Sequence, residues 1–217
     1  MFTFHPLTSY PCQKLRFGPL PPAEPFPPMK HHLLAASILL FVVSLTLAAE
    51  KPLTLATADG KDCTPLAVGD KKAVVFCFVS PYCPTSSSYI PEMNKIVADY
   101  GAKAGFFFVH SDPDQKLPDI LQHTEMMAIK VPVLLDKDQA LAKLTGARIT
   151  PEVAVLGPDG KTLYQGRIND LYLGPTKKQR KATTKDLRDA LDAIQDGKPV
   201  VVAKTEAVGC KISGMAK

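Results

Sequence analysis

The 217-residue chain contains no tryptophan, which excludes any site built on an indole ring. It has no dense basic run. The net charge of +5 is spread along the chain, and the cluster Lys177-Lys178-Gln179-Arg180-Lys181 reads as a short solvated loop, so no nucleic-acid partner is expected. No cysteine–histidine spacing matches a zinc site, and no Cys-x-x-Cys-His matches attached haem. No metal and no cofactor are therefore expected. Internal repeats are absent too. The apolar run from Leu33 to Leu47 is fifteen residues, short for a membrane span.

What is present begins with an uneven proline distribution. Residues 1–28 hold eight of the twenty prolines, too many for a helix or a central strand. Met29-Lys30-His31-His32 then precedes the apolar run, and the small residues Ala48 and Ala49 follow it before Glu50. A positive start, a short apolar core and a small-residue exit describe a secretory signal over residues 29–49. A signal starts at the initiating methionine, so residues 1–28 read as an upstream extension outside the native chain. The expected location is exported and periplasmic, with a membrane anchor through residues 29–49 as the alternative. Removing everything before Glu50 leaves 23 basic and 20 acidic residues and four of the five cysteines: Cys63, Cys77, Cys83 and Cys210. Four cysteines pair in three ways, and spacing does not choose among them.

The whole chain has 46% apolar and 22% charged residues, ordinary for a globular domain with a real core. Ala73 to Val79 is a continuous run of strand formers and reads as a buried central strand. Ser80-Pro81 turns the chain. Cys83-Pro84-Thr85-Ser86 then stands where a helix begins, with Tyr89, Met93, Ile96, Val97 and Tyr100 on one apolar face, Pro91 as a kink and Gly101 as the stop. A thiol at a helix N-terminus meets unpaired N–H groups and the positive end of the helix dipole, which favour thiolate over thiol. Cys77, inside the strand, is expected to be core.

Further strands are expected at Gly105–His110 and Val131–Leu135, and helices at Leu117–Met127 and Gln139–Leu144. Ile149 to Gly166 reads as strand, Pro158-Asp159-Gly160 turn and strand. Thr183 or Thr184 is expected to cap a last helix that stops at Gly197. Asp112 and Asp114 read as turn residues, and His110 as a strand-edge histidine without a role. Alternating strands and helices followed by a hairpin give an α/β fold: a mixed central sheet flanked by helices, closed by a C-terminal hairpin and helix. Active groups in such sheets gather at the carboxyl ends of the strands, where Cys83 lies.

The ordered set of strand, Tyr82-Cys83-Pro84-Thr85-Ser86, Pro91 in the helix, Thr150-Pro151 opening a strand, Asp159-Gly160 and terminal helix resembles the thioredoxin-like superfamily. It is most similar to exported redoxin or peroxiredoxin-like domains. The resemblance covers roughly residues 52–196, within a domain spanning 50–198, and leaves 199–217 as a tail carrying Gly209-Cys210. It implies a cis Thr150–Pro151 bond facing Cys83, and a groove there that takes an extended substrate. It implies Cys83 as nucleophile in thiol–disulfide exchange or peroxide reduction, with Ser80, Tyr82, Pro84 and Ser86 in support. Ser86 stands where relatives carry a second cysteine and reads either as a hydroxyl donor to the thiolate or as an ordinary first-turn serine. Without that cysteine Cys83 needs another thiol to resolve a mixed disulfide. Cys210 is the candidate, a Cys63–Cys210 structural bond and an intermolecular bond being the alternatives. The copper-carrying relatives use Cys-x-x-x-Cys, and Ser87 at that position speaks against copper delivery. The expected activity is a thiol oxidoreductase acting on a protein disulfide or a peroxide, recycled by an external thiol reductant. The alternative is a non-catalytic binding module using the groove at Pro151.

N-terminal sequencing of the protein from its native cells is expected to find Met29 or a later residue first. Recovery of residues before Met29 would overturn the reading of residues 1–28.

Overall fold

The computed structural model describes residues 52–215. The segments read as an upstream extension and as a signal, 1–28 and 29–49, lie outside the described residues. Among the described residues no helix is long and apolar enough to cross a membrane.

The centre is β3 (Ala73–Phe78), buried at every position. It pairs in parallel with β4 (Ala104–His110) and antiparallel with β7 (Glu152–Leu156). Outward from β4 come β5 (Val133–Leu135), β1 (Leu55–Thr57) and β2 (Asp62–Cys63). Beyond β7 lies β8 (Thr162–Gly166), which closes the expected hairpin antiparallel to it. The result is a mixed seven-stranded sheet in the order β2-β1-β5-β4-β3-β7-β8. Short β2, whose two residues carry no apolar alternation, is absent from the sequence reading.

Alternation along β3 divides the core. Ala73, Val75, Cys77 and Val79 face one layer, with Tyr89, Met93 and Ile96 of α1 (Pro84–Tyr100), Ile120 of α2 (Leu117–Met126) and Leu187 and Leu191 of α4 (Asp186–Gln195). Val74, Phe76 and Phe78 face the other, with Leu141 and Ala142 of α3 (Ala140–Thr145). Each large side chain removed from water this completely stabilises the fold by about 1.5–3 kcal/mol. Cys77 is a free, buried thiol, pushed up to about 12 by burial, in keeping with a core role.

Helix α1 contains Pro91 and ends at Gly101 as expected, with Gly101 right-handed (φ −62°) and not in the left-handed turn glycine permits. One local expectation is corrected. The N-cap of α4 is Lys185, with no side-chain cap bond. Thr183 and Thr184 serve Asp170 instead: the Thr184 N–H donates to Asp170 at 2.9 Å, and the Thr183 N–H and hydroxyl donate to the same carboxylate. Asp170 thereby fixes the loop that holds the small ribbon of β9 (Tyr172–Gly174) and β10 (Lys177–Lys178).

The described part of residues 199–217 folds back over the domain. Ala203 and Thr205 hydrogen-bond Gln165 on the free edge of β8, and Tyr164 shares a 2.7 Å hydrogen bond with the Thr205 hydroxyl. Then β11 (Cys210–Lys211) pairs antiparallel with β6 (Ile149–Thr150), and Ile212 enters the core at 3% exposure. The Ser213 hydroxyl donates to Asp112, and Gln139 Nε2 donates to the carbonyls of Ser111 and Ser213.

Gln139 is held in place by the loop ahead of α3, which depends on Asp136. This fully buried carboxylate accepts from the N–H groups of Leu141 (3.0 Å) and Ala142 (2.9 Å) and from the Ser111 hydroxyl (2.7 Å). Asp136→Ala strands these donors and is expected to cost about 2–3 kcal/mol, read as a lowered urea midpoint, with Asp136→Asn milder.

Candidate active site

Cys83 is the N-cap of α1, in an extended conformation (φ −106°, ψ 107°). Strand β3 delivers the chain to the sheet edge, and Val79 and Ser80 lead into the turn. The Cys83 N–H donates to the Ser80 carbonyl at 3.3 Å, and Pro84 opens the helix where a missing N–H costs nothing. The Cys83 sulfur accepts the Ser86 N–H at 3.4 Å. This places one of the unpaired helix donors on the sulfur.

The sulfur of Cys83 is bonded to that of Cys210, with 5.9 Å between the Cα atoms and a sequence separation of 127. The Cys63–Cys210 alternative therefore does not hold here. Closing so long a loop is worth up to about 5 kcal/mol by loop entropy. The Cys83 sulfur also lies 3.0 Å from the Thr150 carbonyl oxygen, to which a reduced thiol would donate. Thr150–Pro151 is cis. Cys83, Cys210, Thr150 and Pro151 thus meet at one point. Gly209 is what lets them meet: a Cβ there would lie 2.0 Å from the Thr150 oxygen and 2.7 Å from its carbon. Glu152 braces the approach to β6, accepting the N–H groups of Arg148 (2.8 Å) and Ile149 (3.1 Å) and, through its other oxygen, the Gln165 amide (2.9 Å).

The supporting residues fall into two groups. Ser86 is buried, but its hydroxyl accepts the Ser80 N–H at 3.1 Å, and it is the backbone N–H of Ser86 that reaches the sulfur. The donor to the sulfur is thus the backbone and not the hydroxyl. The Ser80 hydroxyl accepts from the Tyr82 N–H (3.2 Å) and from Gln115 Nε2 (2.9 Å), which shapes the turn. Tyr82 is exposed, and its hydroxyl donates to Asp119 of α2, so it stands at the rim rather than over the sulfur.

Behind this turn is a group that the sequence reading missed. His110, the last residue of β4, is buried. Gln115 spends its amide nitrogen on Ser80, so its oxygen accepts Nδ1–H of His110 at 2.7 Å, which assigns the tautomer. The His123 ring meets it edge-on at 6.0 Å, and His123 Nε2 lies 3.3 Å from the Ser87 hydroxyl. Burial lowers the pKa of both rings, that of His110 to about 4, so both are neutral near pH 7. Gln115 has no sequence signal of its own. The alternation Cys210-Lys211-Ile212 is the cue that would have revealed a docked strand in the tail. Among the described residues no group of three or more His, Cys, Asp or Glu is placed to hold a metal ion.

A family model described as Redoxin matches residues 23–188. The chain belongs to the redoxin family. Among solved structures, this redoxin is similar to a hypothetical protein from Sinorhizobium meliloti 1021 at 26% identity and a TM-score of 0.66, covering 76% of this chain and 92% of that one. An uncharacterized conserved protein from Geobacillus kaustophilus shares 24% identity at a TM-score of 0.66, covering 77% of this chain and 90% of that one. The MTB dsbF protein, solved in mixed oxidized and reduced forms, shares the fold at 20% identity and a TM-score of 0.51, covering 66% of this chain and 95% of that one. No curated protein sequence matches this redoxin. The thioredoxin-like fold expected from the residues is the observed one.

The close approach at Gly209 makes a direct test. Gly209→Ala is expected to keep β11 off β6 and slow Cys83–Cys210 bond formation by roughly tenfold or more, given that exchange rates depend on access and alignment. Free-thiol counting by mass spectrometry after controlled oxidation, on protein whose circular dichroism is unchanged, reads the effect.

Proposed function

We propose that this redoxin is an exported thiol oxidoreductase that cycles between a Cys83/Cys210 dithiol and the Cys83–Cys210 disulfide. The carrying observation is that bond, formed between a helix N-cap sulfur and a strand-borne sulfur beside Pro151. Cys83 is the nucleophile. Cys210 is the resolving thiol, filling the role that Ser86 leaves vacant within the helix turn.

The oxidant is a peroxide in the reading we favour. Cys83 is only 1% exposed, and β11 lies along β6, where an extended polypeptide would otherwise pair. The contacts holding the tail there, at Ile212, Ser213 and Thr205, do not involve the disulfide. A small oxidant reaches a sulfur so placed more readily than a folded protein does. The Cys83 thiolate attacks the peroxide ROOH and takes one oxygen, giving Cys83–SOH and an alkoxide that picks up a proton. The Cys210 thiol then attacks that sulfur, the S–S bond forms and water leaves. Two electrons pass from the thiol pair to the peroxide, and two from an external thiol return the protein to its start. The same filled edge argues against a binding module that uses the Pro151 groove. Export and a periplasmic setting rest on the signal-like residues 29–49.

The test is peroxide consumption by the mature chain with dithiothreitol as reductant. Cys83→Ser is expected to lower the rate by about 10³-fold or more, as loss of a nucleophile does elsewhere. Cys210→Ser, reduced beforehand and assayed without dithiothreitol, is expected to consume about one equivalent per chain and to leave a sulfenic acid trapped by dimedone. Consumption that survives intact in Cys83→Ser, or a wild type no faster than dithiothreitol alone, would overturn the proposal.

A further inference from the structure

The disulfide has an inner and an outer half. Cys83 is 1% exposed, walled by the Ser86 N–H at 3.4 Å and the Thr150 carbonyl oxygen at 3.0 Å. Cys210 is exposed, on a two-residue strand whose neighbour Lys211 is also exposed. The helix-borne sulfur is the hidden one.

Thiol–disulfide exchange is directional. The incoming thiolate approaches along the S–S axis, from behind the sulfur it attacks, and the far sulfur leaves. Cys83, at 1% exposure, leaves an incoming thiolate no room, whereas Cys210 is exposed to it. The leaving sulfurs differ in the same sense. Expelled Cys83 keeps the Ser86 N–H and the N-terminal end of a 17-residue helix, which stabilise a developing thiolate. Expelled Cys210 would sit on an exposed strand without that support.

We infer that the external thiol that reduces this redoxin attacks Cys210, so that the mixed disulfide with the reductant forms on the tail and Cys83 leaves as the thiolate. The inference rests on the dithiol–disulfide cycle proposed above. The step balances: RS⁻ bonds to the Cys210 sulfur, the Cys83–Cys210 bond breaks, and its electron pair goes to Cys83. A second thiolate then attacks the R sulfur, releases RSSR and leaves Cys210 reduced, with one proton taken up by each freed sulfur as pH dictates. Oxidation and reduction thereby enter at different sulfurs, the peroxide at Cys83 and the thiol at Cys210. The tail is held by Ile212 and Ser213 on one side and Thr205 on the other, so Cys210 stays beside Cys83 throughout.

The experiment mixes oxidised full-length mature protein with glutathione, quenches with acid from milliseconds onward, caps free thiols with N-ethylmaleimide and maps peptides by mass spectrometry. Extrapolated to zero time, the glutathione adduct is expected on the Cys210 peptide, with maleimide on Cys83, at least tenfold over the reverse pattern. An adduct extrapolating to Cys83 overturns this inference while leaving the redox cycle standing. A native disulfide that glutathione and dithiothreitol both leave intact, while the urea-unfolded protein is reduced, overturns the inference and the cycle together.

Discussion

The pairing of Cys210 and Lys211 with Ile149 and Thr150 is the contact on which the rest of the site depends. Without it, Cys83 is a buried sulfur at a helix start, parted from the sulfur it bonds. With it, a strand from the last residues is laid against the cis Thr150–Pro151 segment and a sulfur is delivered to within bonding distance. The pairing is small, so it is reinforced on both sides. Thr205 and Ala203 fasten the incoming chain to β8, and Ile212 fastens the outgoing chain in the core. Only a residue without a side chain fits between these fastenings, at Gly209.

The sheet and its helices were legible because they are written in periodicity. A continuous apolar run at Ala73–Val79, a 3.6-residue stripe from Tyr89 to Tyr100 and the Asp159-Gly160 turn each have one ready interpretation. Cys83 was legible for a related reason: it stands at the junction of a strand pattern and a helix pattern. What escaped is non-local. Spacing leaves the Ser86 hydroxyl open as a donor to the sulfur, yet it is consumed by Ser80, six residues earlier, and the backbone takes its place. Thr183 and Thr184 look like caps in sequence but are drawn to Asp170, fourteen residues or less before them. Such choices depend on which donor is nearest in space, and no local pattern carries that.

His110 shows the same limit more sharply. A strand-end position says nothing of burial, yet the imidazole is buried against His123 of α2 with Gln115 as its partner. The neutral ring pair stiffens the turn from the rear through Gln115 and Ser80 without presenting charge to the sulfur. The N-terminal end of α1 is then the main source of positive potential directed at Cys83.

The bond between residues 83 and 210 also alters the covalent topology of the chain. When it is closed, the described elements from α1 to β10 and α4 belong to one ring spanning 127 residue steps, with β1 to β3 on one side of it and the residues from Lys211 onward on the other left outside. A cut in an exposed stretch of that ring, such as the loop around Lys181, leaves one molecule while the sulfurs are joined and two once they are parted. Redox state here is thus also a property of connectivity: it decides whether a single peptide-bond break divides the protein.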